Sequence, residues 1–304
     1  MQNNALVSGA SGEAPSAAES ALLSSMPQDQ ISSSPQKSAQ EEIQAAKPLP
    51  QPNLSANQPS QVYSIESLVP NGYSSLSQMP IGEWEEALAA SEPITTSSRF
   101  VSNRIETVGR SGYKTHLQIL RLIIMLLELA KSLKPGRSGP NSKAAGPGSK
   151  KLPPREDLRQ ILSSTTGAQG VESAAPAANI TDSLLDNIRR KFAPQGSFLS
   201  KNDITFLHTT ICALSLHIPP EGGFRPNELA TDPANLRDDL RLENQVILQY
   251  FRELGCRIDK PKESEYAQWG IKKGKAEAGA MRIVRLRLPL EFPKLSRGGG
   301  GRRK

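Results

Sequence analysis

Residues 232–256 read DPANLRDDLRLENQVILQYFRELGC, and this stretch predicts two helices joined by a turn of two or three residues. Asp232 suits the N-cap of the first helix, and Pro233 suits its first turn because that position needs no N–H donor. Apolar residues then recur at helical spacing over 243–254. Gly255 follows them and can adopt the left-handed conformation that ends many helices.

The elements on either side of this helix pair complete a recognisable order. A strongly apolar helix is predicted upstream, over 203–217. Downstream, a strand at 256–259 and an alternating strand at 282–288 enclose a long polar loop at 260–280. Three helices followed by a β-hairpin are the order of a winged helix, so we predict that fold for residues 201–295.

Residues 113–200 have the same order of elements with weaker strand signals. The predicted elements are three helices and one short strand, at 115–134, 154–162, 179–192 and 196–199. We therefore predict a first winged helix here, with flexible loops at 136–151 and 163–178. Charged residues interrupt the helix at 115–134, and its apolar run is shorter than the roughly 20 residues that span a bilayer, so we expect a buried helix and no membrane segment.

The composition indicates that part of the chain lies outside any domain. Of its 304 residues, 37% are hydrophobic and 5% aromatic, which is low for a chain that packs along its whole length. Residues 1–60 are rich in Ser, Ala, Gln and Pro and contain no aromatic residue, so we predict a disordered leader. Residues 61–112 alternate short apolar pieces with breakers and predict an extended linker that docks on another surface, and residues 296–304 form a basic Gly/Arg tail. The predicted fold is mainly α with small β-hairpins, a tandem winged helix preceded by the leader and the linker.

The formal net charge of +7 is unevenly distributed along the chain. Residues 1–60 hold two basic and five acidic residues, and residues 61–110 hold three basic and six acidic ones. By contrast, residues 255–304 hold 14 basic and five acidic residues. A basic body indicates a polyanion partner such as double-stranded DNA, although the Lys- and Gly-rich segment 136–151 lacks the order of a phosphate-binding loop.

The winged-helix interpretation points to particular DNA-binding side chains. The third helix of such a unit can enter the major groove, and the loop between its strands can contact phosphates. Because Glu243 and Glu253 lie on the third helix, we predict sequence-independent duplex binding rather than base-specific readout. The candidate DNA-binding residues are Arg189, Arg190, Lys191, Lys201, Arg237, Arg241, Asn244, Gln245, Gln249, Arg252, Lys272, Lys273 and Lys275.

Alternatives stay open for several of these residues and for the function. The three consecutive cations at 189–191 also suit the negative end of a helix dipole. Arg237 and Arg241 are equally suited to pairing with the neighbouring Asp238 and Asp239. The alternative function is a winged-helix module that contacts only protein.

The sequence predicts no catalytic site, metal or cofactor. Cys212 and Cys256 lie in apolar surroundings typical of small core residues, and with the three His residues they form no metal-ligand spacing. The parts predicted to be ordered contain no nucleophile–base pair and no nucleotide-binding loop. Residues 1–9 lack a basic stretch followed by an apolar one, so no secretory signal is expected.

Four stretches of the chain are recognisable: YSIESLVP at 63–70, SRFVSNRI at 98–105, the opening stretch at 232–256, and LRLPLEFPK at 286–294. They resemble the linker and C-terminal part of the RNA polymerase I 49-kDa subunit family, the TFIIF/TFIIE-like subunit. The resemblance implies a tandem winged helix similar to the TFIIE β subunit, a location in the nucleus and nucleolus, and partnership with other RNA polymerase I subunits. It also implies non-specific DNA binding near the polymerase cleft and a non-catalytic role in initiation and elongation on ribosomal DNA.

One family feature has no counterpart in these residues. The family carries an N-terminal β-rich module that pairs with a smaller subunit, whereas residues 1–60 show no strand pattern. The resemblance therefore covers about residues 61–295 and leaves a heterodimer partner in doubt. Docking through residues 61–110 remains an expectation.

Overall fold

The computed structural model describes residues 45–136, 148–164, 180–272 and 274–293. The basic tail, Lys273, most of the leader and most of both predicted flexible loops lie outside these ranges. The chain divides into two compact units, residues 1–47 and residues 48–304. Only three residues of the first unit are described, so the fold below is that of the second.

Helices dominate the described part of this unit. They are α1 (Pro59–Val62), α2 (Ile65–Leu68), α3 (Gly72–Leu76), α4 (Gly82–Ala89), α5 (Arg99–Ser102), α6 (Ile105–Arg110), α7 (Lys114–Ser132), α8 (Arg155–Ser164), α9 (Asp182–Phe192), α10 (Lys201–Leu216), α11 (Ala234–Leu240), α12 (Asn244–Glu253) and α13 (Lys275–Ala280). The strands are β1 (Lys134–Pro135), β2 (Lys150–Lys151), β3 (Phe198–Leu199), β4 (Leu229–Thr231), β5 (Arg257–Asp259) and β6 (Ile283–Leu286), and Glu263–Glu265 form a 3-10 turn.

Two long apolar helices, α7 and α10, pack against each other at the centre of the fold. Every residue of α7 from Leu117 to Leu127 is buried, so the prediction of a buried helix is confirmed. In the part of the chain that the structure describes, no helix is long and apolar enough to cross a membrane. Arg121, one of the charged interruptions, is itself buried, with its guanidinium 5.7 Å from the centre of the Trp84 ring.

The segment 61–112 differs from the extended linker that its sequence predicts. It contains the short helices α1 to α6, and it packs on its own chain, with Trp84, Phe100 and Val108 at most 2% exposed. The Tyr63 hydroxyl donates a hydrogen bond to the Leu254 carbonyl over 3.1 Å. The sequence predicts a helical turn or two only at 83–88, within α4. The other helices have four to six residues and are too short to show a 3.6-residue period.

Two small antiparallel sheets flank the helices. The first has the strand order β1-β2-β3 and the second β4-β6-β5. The predicted strands after α12 pair as β5 and β6, whereas β4, a three-residue strand before α11, has no clear signal in the sequence. The loop predicted at 260–280 is partly folded, since it contains the 3-10 turn and α13.

One cluster of buried side chains extends from Val62 to Leu286 and includes residues of helices α1 to α12 and of strands β3, β4 and β6. The predicted fold class, mainly α with small β-hairpins, is confirmed. The division into two winged helices at residue 200 stays a prediction, because α7 and α10 on either side of it share this core.

Candidate nucleic-acid interface

The turn between α11 and α12 exposes a cation at its tip. Asp232 begins the helix pair by accepting a hydrogen bond from the Ala234 backbone N–H over 2.9 Å. Arg241 ends α11 in the left-handed region, at φ 53°, with its side chain exposed. At the far end of α12, Gly255 takes φ 76°, the left-handed cap that its position predicts, and an added Cβ would come within 3.2 Å of Phe292.

Helix α12 buries one face and exposes the other. Its apolar residues Ile247, Leu248 and Phe251 are buried, which turns the predicted polar side chains outward. The exposed candidates on this helix are Asn244, Gln245, Gln249 and Arg252. Among them, Gln249 donates a hydrogen bond to Glu253 over 2.7 Å, so its amide is already partly used.

Two neighbouring aspartates on α11 have different roles. Asp239 is buried, and its carboxylate accepts hydrogen bonds from the Ser98 hydroxyl at 2.6 Å and the Arg99 and Phe100 N–H groups at 2.9 and 3.0 Å. It therefore caps the N-terminus of α5 from outside that helix. Asp238 is exposed and pairs with both Arg237, at 2.7 Å, and Arg99, at 3.0 Å.

These contacts distinguish Arg237 from Arg241, for both of which the sequence leaves ion pairing and DNA contact open. A hydrogen bond and the charge of Arg237, together with Arg99, hold the pKa of Asp238 below its usual value. Arg237 is thus occupied by a carboxylate. Arg241 has no ion pair among the described residues, so its charge faces solvent.

Beneath the loop at 260–280 lies a network of buried charges. Arg285 is 3% exposed and contacts Glu228 at 2.5 Å and Glu265 at 2.7 Å. Arg225 pairs with Glu265 at 2.8 Å, and Arg287 pairs with Glu228. The network attaches the loop to the outer face of the second sheet, where the alternation of β6 places Arg285.

The three lysines that were predicted to bind DNA from this loop differ in their ion pairing. Lys272 is exposed and makes no ion pair with any described residue. Lys275 is exposed but pairs with Glu263 at 3.1 Å. Lys273 lies outside the described residues.

The candidate DNA-binding residues near α9 and α10 also differ in exposure and hydrogen bonding. Arg190 and Lys201 are exposed and Arg189 is half-buried. The Lys191 ammonium instead donates to the carbonyl oxygen of Ser67 at 2.5 Å, and burial lowers its pKa. Lys191 therefore holds α9 against the segment after α2.

The first sheet brings together a group of lysines that the sequence did not predict as neighbours. Lys134 on β1 pairs directly across from Lys151 on β2, and Lys150 is the next residue of β2. The Lys-Lys pair at 150–151 is visible in the sequence, but Lys134 joins it only through strand pairing across residues 136–149, which no local pattern reveals.

His208 and the two cysteines are buried outside this interface. Burial lowers the pKa of His208 to about 4, with a smaller contribution from Lys150, which keeps this imidazole neutral at pH 7. Cys212 and Cys256 are free and buried, and burial raises the pKa of both thiols. The described ranges contain no group of three or more His, Cys, Asp or Glu residues that could hold a metal ion.

Comparison with known proteins identifies the family of the chain. No curated protein matches it. A family model described as A49-like RNA polymerase I associated factor matches residues 3–293, which is nearly the whole chain and extends upstream of the four recognisable stretches. The chain therefore belongs to the A49-like family of RNA polymerase I associated factors.

Proposed function

We propose that this protein is a non-catalytic DNA-binding subunit of RNA polymerase I that acts in the nucleolus and supports initiation and elongation on ribosomal RNA genes. Its membership of an RNA polymerase I associated family supports the polymerase as partner and the nucleus as location. Its own part in the complex is to hold duplex DNA through charge, without reading the base sequence.

The exposed face formed by the α11–α12 turn and α12 is the observation that carries this proposal. Arg241 and Arg252 lie on it without ion-pair partners among the described residues, beside the exposed amides of Asn244 and Gln245. Guanidinium and amide N–H groups can donate to phosphate oxygens, and such contacts position a protein on DNA without selecting a sequence.

The order of elements gives further support. Helices α10, α11 and α12, with β4 before α11 and the β5–β6 pair after α12, follow the winged-helix order, and the strand order β4-β6-β5 places both later strands beside one another. In that arrangement α12 is the helix that enters a major groove. Lys272 in the loop between β5 and β6 then faces the flanking phosphates.

The second candidate function is a module that contacts only protein. It is favoured by the ion pairs that already occupy Arg237 and Lys275. Those pairs leave a smaller cationic surface than the sequence alone suggests.

Two measurements on the full chain separate these functions. Gel-shift titration at low salt with two duplexes of unrelated sequence should give binding of similar affinity for both. Purification of the tagged chain should recover the large RNA polymerase I subunits. Recovery of the polymerase without any duplex shift would establish the protein-only module, and absence of polymerase subunits would refute the proposed role in that complex.

A further inference from the structure

We propose that the lysines of the first sheet form a second phosphate-binding surface for duplex DNA. The first-sheet lysine cluster consists of Lys134, Lys150 and Lys151. This inference rests on the proposed function and extends it, because it assigns DNA contact to a part of the fold outside the α11–α12 turn and the loop that follows.

The strand register brings the cluster together. Lys134 and Lys151 are cross-strand partners in the β1–β2 pair and both are exposed, so their side chains rise from the same, outer face. Lys150 pairs with Leu199, which is fully buried, and so lies toward the inner face of the sheet. Directly opposed like charges destabilise a strand pair, so this arrangement is unfavourable until an anion neutralises it.

Cations on the helices before and after these strands are paired with carboxylates. Lys114 pairs with Glu85 at 3.2 Å, and Lys131 pairs with Glu128 at 2.9 Å. Arg155, shortly after β2, pairs with the carboxylates of α9. None of the ion pairs between described residues involves a lysine of the first-sheet cluster. The exposed charges of Lys134 and Lys151 therefore face solvent without a carboxylate partner among the described residues, while Lys150 is half-buried.

The chemistry of the surroundings favours a nucleic acid over an acidic protein. A stable protein interface has an apolar or aromatic centre, and the large hydrophobic side chains exposed in the described residues, Leu54, Tyr73 and Tyr113, all lie outside this sheet. Duplex DNA presents one negative charge per roughly 1.7 Å of axis, so two lysines about 5 Å apart meet more than one phosphate.

The test removes the two exposed charges and measures the salt dependence of binding. Lys134→Gln with Lys151→Gln is compared with a charge-matched control, Arg110→Gln with Lys114→Gln, whose cations pair with carboxylates within the chain. Binding of the full chain to a long labelled duplex is followed by fluorescence anisotropy between about 50 and 200 mM KCl.

The cluster variant should bind about three- to tenfold more weakly at low salt, with a log–log salt slope shallower by about 1 to 2, while the control stays close to the parent. Lys134→Arg with Lys151→Arg should retain parental binding, and Lys151→Gln alone should give about half the slope change. If the cluster variant binds duplex like the control, the inference is overturned. It is also overturned if the cluster variant retains duplex binding but no longer recovers the polymerase subunits on purification. The proposed function survives both of these results, whereas the proposed function and this inference both fail if the parent chain binds no duplex.

Discussion

At the scale of single residues, Asp239 joins α11 to α5 across 140 positions of sequence. Its carboxylate accepts three hydrogen bonds, from one hydroxyl and two backbone N–H groups at the start of α5. Hydrogen bonds to a charged acceptor are roughly twice as strong as neutral ones, and a buried donor that loses its partner is costly. Asp239 is therefore a structural anchor of the segment 61–112.

We expect Asp239→Asn to lower the free energy of unfolding by about 2 kcal/mol, because the amide is neutral and turns a donor toward the N–H groups. The matched control is Asp238→Asn, which changes an exposed carboxylate with only surface ion pairs and should cost less than about 1 kcal/mol. Urea unfolding of both variants measures the difference. Equal losses for the two would contradict the capping role.

This residue also shows what the sequence could not predict. Asp238 and Asp239 are adjacent and identical in type, and only the docking of α5 makes one buried and the other exposed. Arg237 and Arg241 also differ in a way that the sequence does not show. Arg237 pairs with Asp238, whereas Arg241 has no ion-pair partner among the described residues, because it ends α11 in the left-handed region. Local patterns indicate the residue types at these positions but not their partners.

At the scale of elements, the loop at 260–280 is the clearest departure from expectation. Helices α7 to α12 were predictable because each has an apolar face at helical spacing, and the strands β5 and β6 because they flank that loop. The loop sequence is polar, and its folding depends on the long-range pairing of Glu265 with Arg285 and Arg225. Of the six short helices before α7, only α4 was predictable, from the stretch 83–88. The others are too short for an apolar period of their own, and their buried residues join the core around α7 and α10.

The buried network makes the stability of this element depend on pH. Burial alone would raise the pKa of Glu265, but the hydrogen bond from the Lys262 N–H and the charges of Arg285 and Arg225 outweigh it and hold the pKa below its usual value of 4.5. A lowered folded-state pKa means that the unfolded chain takes up the proton first as the pH falls. The stabilisation is therefore complete well above pH 4.5 and is lost as the pH falls through the folded-state value.

We expect Glu265→Gln to lower the free energy of unfolding by about 3 kcal/mol at pH 7, because it leaves Arg285 and Arg225 short of a buried counter-charge. The variant should also lose less stability than the parent between about pH 6 and pH 3.5. Glu263→Gln in the same 3-10 turn is the control, since that side chain is exposed and, among the described residues, its ion pair is with Lys275. Urea unfolding across this pH range gives both values, and parallel pH profiles for parent and Glu265→Gln would show that this carboxylate does not stabilise the fold.

At the scale of the whole molecule, the described residues between Val62 and Leu286 share one core, although the sequence suggests a linker and two tandem units. The buried cluster runs without a break from Val62 in α1 to Leu286 in β6. Phe100 of α5 is fully buried within it. A shared core of this kind favours one cooperative unfolding transition.

The two tryptophans of the chain allow a direct test of this cooperativity. In a Trp269→Phe background, Trp84 on α4 reports on the segment 61–112, while circular dichroism reports on all helices. We expect coincident urea transitions, and we expect Phe100→Ala to shift both together by about 3–4 kcal/mol. An earlier, separate transition of Trp84 would mean that the segment is an independent linker after all.

The central claim is that Arg241 and Arg252 on the α12 face, which have no ion-pair partner among the described residues, hold duplex DNA without regard to sequence. The most direct test is the salt dependence of binding for Arg241→Gln with Arg252→Gln, measured on two unrelated duplexes beside the control Arg110→Gln with Lys114→Gln. We predict a log–log slope shallower by about 0.9 for each lost phosphate contact, equally on both duplexes, and no such change for the control. A slope and affinity equal to those of the control, or a strong preference for one duplex, would contradict the account.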